Sequence, residues 1–271
     1  MIFVFSGTGN SYHVAKRIAA DFEYDLVEMA AAVRYKRGFY NAQGEDVGFV
    51  FPTYYLGLPS VVEEFLGILE VRNPGFVYCV STCAGNSGRA CDQLQEVLGK
   101  RLKVDAYYDV SMPDNAVFYE DVPDKQEAER INAEADSRID GIISSLRARE
   151  KGDHRTMSSQ DGFGEAREAY SDFRDTEQFS IDDNCIECRM CEHVCPEQII
   201  KVYHRKPVWD EVQCSMCMSC VNMCPKKAIQ MGEVTKGRGR YFHPTYYMWS
   251  LGANPPYKHE DFKSYDEGYR C

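Results

Sequence analysis

The sequence predicts an α/β protein in two parts: a doubly wound parallel sheet of five strands, then a small α+β domain organised by cysteine. Three observations point there. Short apolar runs alternate with amphipathic stretches over the first 150 residues, a Gly/Ser/Thr loop follows the first run, and one cysteine pattern occurs twice around residue 200. Strands alternating with helices are the pattern of a parallel sheet with crossover connections. At 271 residues and 31.0 kDa the chain has room for one large domain or two modest ones.

The elements follow in order. Residues 1–5 form an apolar run long enough for a buried strand. Ser6, Gly7, Thr8, Gly9, Asn10 and Ser11 come next, and then Val14, Ala15, Ile18 and Ala19 at helical spacing. A strand, a small polar loop and a helix N-terminus make an anion site, because loop donors converge where the helix dipole favours negative charge. The loop has neither the G-K-[ST] ending of a nucleoside-triphosphate loop nor the G-x-G-x-x-G of a dinucleotide fold, and it contains no lysine. A monophosphate held by neutral donors suits it. Further strands are predicted at 25–29, 46–51, 76–81 and 104–110, and helices at 59–69, 86–100 and 124–150.

The cysteine runs carry the most specific chemistry. Cys185, Cys188, Cys191 and Cys195 precede Pro196; Cys214, Cys217, Cys220 and Cys224 precede Pro225. Each run reads C-x-x-C-x-x-C-x-x-x-C-P, the spacing of a bacterial [4Fe–4S] segment. Three thiolates two residues apart can wrap one cubane, and the fourth faces away and ligates the other cluster of a pair. The expected sets are therefore Cys185, Cys188, Cys191 and Cys224 for one cluster, and Cys214, Cys217, Cys220 and Cys195 for the second. Zinc prefers two separated pairs and gains nothing from the third cysteine or the proline. Disulfides are not expected in a chain whose N-terminus shows no secretory leader.

The loop at 6–11, directly after the first strand, resembles the FMN phosphate loop of flavodoxins. Joined to the cysteine runs, it makes the chain resemble the flavodoxin–ferredoxin fusion family of anaerobic microbes, with matching motifs over about 1–150 and 181–245. The resemblance implies sheet order 2-1-3-4-5, a flavodoxin-like FMN domain at 1–151, a linker at 152–180, and a two-cluster ferredoxin domain at 181–271. It also implies that Pro52, Thr53, Tyr54, Tyr55, Leu56 and Gly57 line the isoalloxazine. Tyr54 or Tyr55 is expected to stack on it, sheet-edge packing being the alternative. Gly57 reads either as letting a carbonyl turn to the protonated N5 or as a plain turn glycine between Leu56 and Leu58. Ser81, Thr82, Cys83, Ala84, Gly85 and Asn86 are expected at its pyrimidine edge, with 112–116 reaching over the flavin edge.

Other residues are read more plainly. Cys83 reads as a small loop residue and Cys79 as core packing, whereas Cys91 and Cys271 carry no signal. Tyr170 and Phe173 fall on one face of a short helix, so 152–183 is expected to lie against one or both domains. Tyr241, Phe242, Tyr246, Tyr247, Trp249, Tyr257, Phe262, Tyr265 and Tyr269 are too many aromatics to leave in water. Covering the ferredoxin module, packing on the flavodoxin half and a homodimer contact are their expected uses, in that order. His193 is expected at the surface.

The net charge of -11 and pI near 5.1 argue against nucleic acid and suit docking on a basic redox partner. No apolar run reaches the ~18 residues of a membrane span, and the expected location is the cytoplasm. A second nucleotide fingerprint is missing, so direct NAD(P)H oxidation is not predicted. The expected function is electron transfer between two [4Fe–4S] clusters and FMN on one chain. A flavin reductase of a small acceptor such as a quinone or nitro compound is the alternative, and a flavin-free docking scaffold the third reading.

Overall fold

The computed structural model describes residues 1–204 and 206–245. Two compact units divide the chain. The first holds Met1–Ser6, Asn10–Met112 and Ile131–Asp172; the second holds Gly7–Gly9, Pro113–Arg130 and the residues from Phe173 onward.

In the first unit, β1 (Ile2–Val4) leads to α1 (Asn10–Phe22), β2 (Leu26–Glu28) and α2 (Met29–Arg34). Then come β3 (Phe39–Asn41), β4 (Val47–Pro52), α3 (Ser60–Ile68), β5 (Glu70–Arg72), β6 (Val77–Cys83), α4 (Ala90–Leu98) and β7 (Ala106–Ser111). The long helix α5 (Lys125–Arg147), the short β8 (Gly152–Asp153) and α6 (Phe163–Phe173) follow. The central sheet has six strands in the order β2-β1-β4-β6-β7-β8, and every pairing in it is parallel.

Burial explains the sheet. β4 and β6 are apolar on both faces, as strands sandwiched between helix layers must be. Ile2, Val4, Val50, Val80 and Val110 meet Val14, Ile18, Ile139, Ile142 and Leu146 in the core. Gly48 is required there by close approach, since a Cβ on it would lie 2.4 Å from Cζ of Tyr78.

The sixth strand corrects the expected count of five. Gly152 and Asp153 are exposed and have no apolar pattern. They join β7 because Gly152 N–H donates to Asp105 O and His154 N–H to Tyr107 O, both 2.9 Å. The parallel pair β3–β5 and the helix α2 were likewise not foreseen. Instead of a bare linker, 152–180 carries β8 and α6, and its residues up to Asp172 belong to the first unit. Tyr170 and Phe173 part company: Tyr170 is buried and Phe173 exposed.

In the second unit, β9 (Phe179–Ile181), α7 (Met190–Val194), β10 (Ile200–Tyr203), β11 (Lys206–Trp209), α8 (Ser219–Asn222) and β12 (Ile229–Met231) build two small antiparallel ribbons, β9–β12 and β10–β11. Phe179 stacks on Trp209, the ring centroids 5.0 Å apart. Each cysteine run thus leads through a short helix into one ribbon strand. Tyr241 is fully buried within this unit, its N–H donating to Asn222 Oδ1 at 3.0 Å. Tyr246, Tyr247, Trp249, Tyr257, Phe262, Tyr265, Tyr269 and Cys271 lie outside the described residues. No helix among the described residues is long and apolar enough to cross a membrane.

Candidate functional site

The two cysteine runs fold alike, down to their unusual backbone angles. Glu187 and Arg189 in the first run have φ of 59° and 61°, and the equivalent Met216 and Met218 have 58° and 57°. Gln198 and Lys227, three residues past each fourth cysteine, repeat the feature at 55° and 48°. Non-glycine residues in this region cost of order 1–3 kcal/mol each, and such strain clusters at ligand clamps. Here it tightens each loop so that backbone N–H groups face sulfur. Met216 N–H donates to Cys214 Sγ at 3.4 Å and Ala228 N–H to Cys224 Sγ at 3.2 Å.

Burial raises six of the eight thiols, and for most of them the neighbouring sulfurs add to it. Burial pushes the Cys191 thiol up to about 12, and the charges of Cys224, Cys188 and Cys185 add to it. Burial likewise raises Cys188, which also feels Cys224 and Cys185. Cys214 is pushed up to about 12, again by burial first, with Cys195 among the added charges. Cys217 rises through burial, then through Cys195 and Cys214; Cys220 rises through burial, then through Cys217, Cys195 and Cys214, and last through Cys191 of the first run. Cys224 therefore keeps company with the first run and Cys195 with the second. Buried and half-buried thiols that repel one another as anions are a donor set suited to a multiply charged cationic core, which deprotonates its ligands on binding. Among the described residues no three Cys, His, Asp or Glu side chains converge as around a single ion. Thiolates on a cubane sit at separate corners and need no such convergence.

The three loops at the C-terminal ends of β1, β4 and β6 are also brought together. Ser11 Oγ lies 2.7 Å from Thr82 Oγ1, Thr53 N–H donates to Thr82 O at 2.8 Å, and Arg89 N–H donates to Leu56 O at 2.8 Å. In the first loop Ser6, Thr8, Asn10 and Ser11 are all buried, and Gly9 turns with φ of 100° just before α1 begins. Thr8 Oγ1 accepts from Asn115 Nδ2, so Asn115 of the 112–116 segment meets the 6–11 loop at Thr8. These buried hydroxyls and the helix start fit a small anion.

In the second loop a two-residue turn joins Tyr54 to Gly57, each N–H donating to the other's carbonyl at 2.9 Å, with Tyr55 and Leu56 at φ of 48° and 60°. Helix α6 holds this turn. Arg167 donates to Tyr54 O and Leu58 O, while the Tyr170 ring packs at 6.5 Å from Tyr54 and 5.3 Å from Tyr55. Both tyrosines thus have the Tyr170 ring as a neighbour already, and Tyr54 also meets Phe5 at 6.2 Å. Gly57 owes its identity to close approach, because a Cβ there would lie 2.3 Å from Gln93 Oε1.

The third loop is strapped from below. Ser87 Oγ donates to the fully buried Asp109, whose carboxylate also accepts from the N–H groups of Thr156 and Met157. Asn86 Oδ1 accepts from Gly88 N–H and Ser159 N–H. Burial pushes Cys83 up to about 12, which keeps it a neutral thiol. Cys79 and Cys91 lie in the core with their sulfurs 3.0 Å apart. His193 is exposed.

Sequence reasoning missed Asp109, Arg167, Tyr170, Ser219 and Asn222 as supports of these loops. Two of them left a trace: Tyr170 in the helical spacing of the 152–183 aromatics, and Ser219 as a polar residue where the first run has Met190.

Residues 184–229 match the family model described as a 4Fe-4S dicluster domain. No curated protein matches the chain. The second unit thus contains a ferredoxin-type iron–sulfur domain, and its general chemistry is electron transfer.

Proposed function

We propose that the protein is an electron carrier that couples two [4Fe–4S] clusters to an FMN held by the first-unit loops. The two cysteine runs, alike in spacing and in backbone and lying in the segment that matches a 4Fe-4S dicluster domain, are the observation that carries the cluster part of this reading. Cys185, Cys188, Cys191 and Cys224 would hold one cluster, and Cys195, Cys214, Cys217 and Cys220 the other. Sheet order β2-β1-β4-β6-β7, extended by the short β8, supports a flavodoxin-like half. In it, residues 6–11 would take the phosphate, 52–57 one face of the ring, and 81–86 its pyrimidine edge.

When bound, the clusters supply one-electron steps and FMN one- or two-electron steps. The chain's own residues set the conditions. Backbone N–H groups aimed at Cys214 and Cys224 favour the ligand anions, and the helix start at Asn10 attracts the phosphate.

Anaerobic reconstitution followed by iron, labile-sulfide and flavin analysis tests this reading. The expected content is about eight irons and one FMN per chain. A zinc-loaded protein, or one that takes up clusters but no flavin, would overturn it.

A further inference from the structure

Ser219 and Asn222 stand inside the second cysteine run but have no ligand role in its spacing. The first run has Met190 and His193 at the same places. Both polar residues are fully buried, where an unsatisfied hydroxyl or amide is costly. Their partners lead to one short turn. Ser219 Oγ donates to Gly7 O. Asn222 Nδ2 donates to Asn115 O at 3.0 Å, and Asn115 Nδ2 donates in turn to Thr8 Oγ1. Asn222 Oδ1 accepts from Tyr241 N–H, and two residues further on His243 N–H donates to Thr8 O at 2.8 Å. Both segments that hold Thr8 are therefore pinned by Asn222, and the turn's first carbonyl by Ser219. All these residues belong to the second unit, which includes Gly7–Gly9.

We propose that Ser219 and Asn222 are positioning residues for the Gly7–Gly9 turn, so that cluster occupancy at 214–220 and flavin-phosphate binding are coupled. The inference rests on the FMN reading above. Ser219 follows the left-handed Met218, at the start of α8, so its place depends on how the loop between Cys217 and Cys220 is wrapped. Metal binding organises such loops. A loaded run then presents the Ser219 hydroxyl to Gly7, and an empty one releases it. By linkage, bound FMN must favour cluster retention by the same factor.

The test is FMN affinity of anaerobically reconstituted, cluster-loaded protein, with iron content checked for each variant. S219A should weaken FMN about fivefold and S219A/N222A at least ~10-fold, the scale of one and two lost hydrogen bonds. T235A is the control: it also removes a fully buried hydroxyl of the same unit, bonded to Gln230 and Met231, and should change FMN affinity less than ~2-fold. Removing iron from the wild type with a chelator should weaken FMN at least as much as S219A does. The inference fails if the double variant binds FMN as the wild type does, or if T235A loses as much. In both cases wild-type binding leaves the FMN reading standing. A wild type that binds no FMN brings down both.

Discussion

The two cysteine runs share spacing, proline and three left-handed backbone positions, yet they live in different solvents. In the first, Ile186, Glu187, Arg189 and His193 are exposed, Ile186 by 53%. In the second, Ser215, Met216, Met218, Ser219, Val221 and Asn222 are all buried. The ligand pattern is a property of the cysteines, and the environment is a property of what stands between them. Cluster potentials respond to charge, hydrogen bonds to sulfur and solvent exposure. One motif written twice therefore gives two unequal centres, the first facing solvent and the second facing the residues that hold the Gly7–Gly9 turn.

Cysteine replacement gives the largest effect and tests the crossing. C188S and C224S should silence the same cluster, and C217S and C195S the other, each removing about four of eight irons. Iron analysis with electron paramagnetic resonance of the reduced protein reads this. Loss of the same signal from C188S and C195S would mean each run closes on itself.

Unequal burial should next appear as unequal lability. Under a membrane-impermeant chelator the signal lost in C188S should decay on the order of 10-fold faster than the signal lost in C217S, following solvent access. Equal decay would break the comparison.

A smaller effect comes from Glu197, which accepts from Ser215 N–H at 2.7 Å and whose charge raises Cys195, Cys214 and Cys217 after burial has done so. A negative charge there opposes reduction of the second cluster. E197Q should raise that potential by about 30–60 mV, half to one tenfold step of a one-electron couple, and leave the first unmoved. A redox titration followed cluster by cluster decides it. The smallest effect is at the rim of the first run. D183N/E187Q should slow reduction by a basic partner two- to threefold at low salt, and the difference should vanish at high salt. A salt-independent change would point to lost structure instead of lost steering.

Legibility varied across the chain for physical reasons. Strands β1 and β4 and the first half of β6 are apolar runs, and α1 repeats its buried positions at helical spacing, so the parallel sheet could be read directly. Gly152 and Asp153 join the sheet through backbone bonds alone, which leave no side-chain pattern. The cysteine spacing announced its chemistry because ligation demands one residue type at fixed intervals. Arg167 and Tyr170 reach the turn 54–57 from more than a hundred residues away, and Asp109 ties the earlier loop at Ser87 to the later backbone of Thr156 and Met157.

By itself, the order of residues determined the alternating layers, the small polar loop after the first strand and the two metal-ligand runs, since each depends on neighbours a few positions apart. Tertiary structure decided which run was hidden from water and which side chains held the glycine turn. Those outcomes depend on distances between segments far apart in sequence, and local periodicity has no means of encoding them.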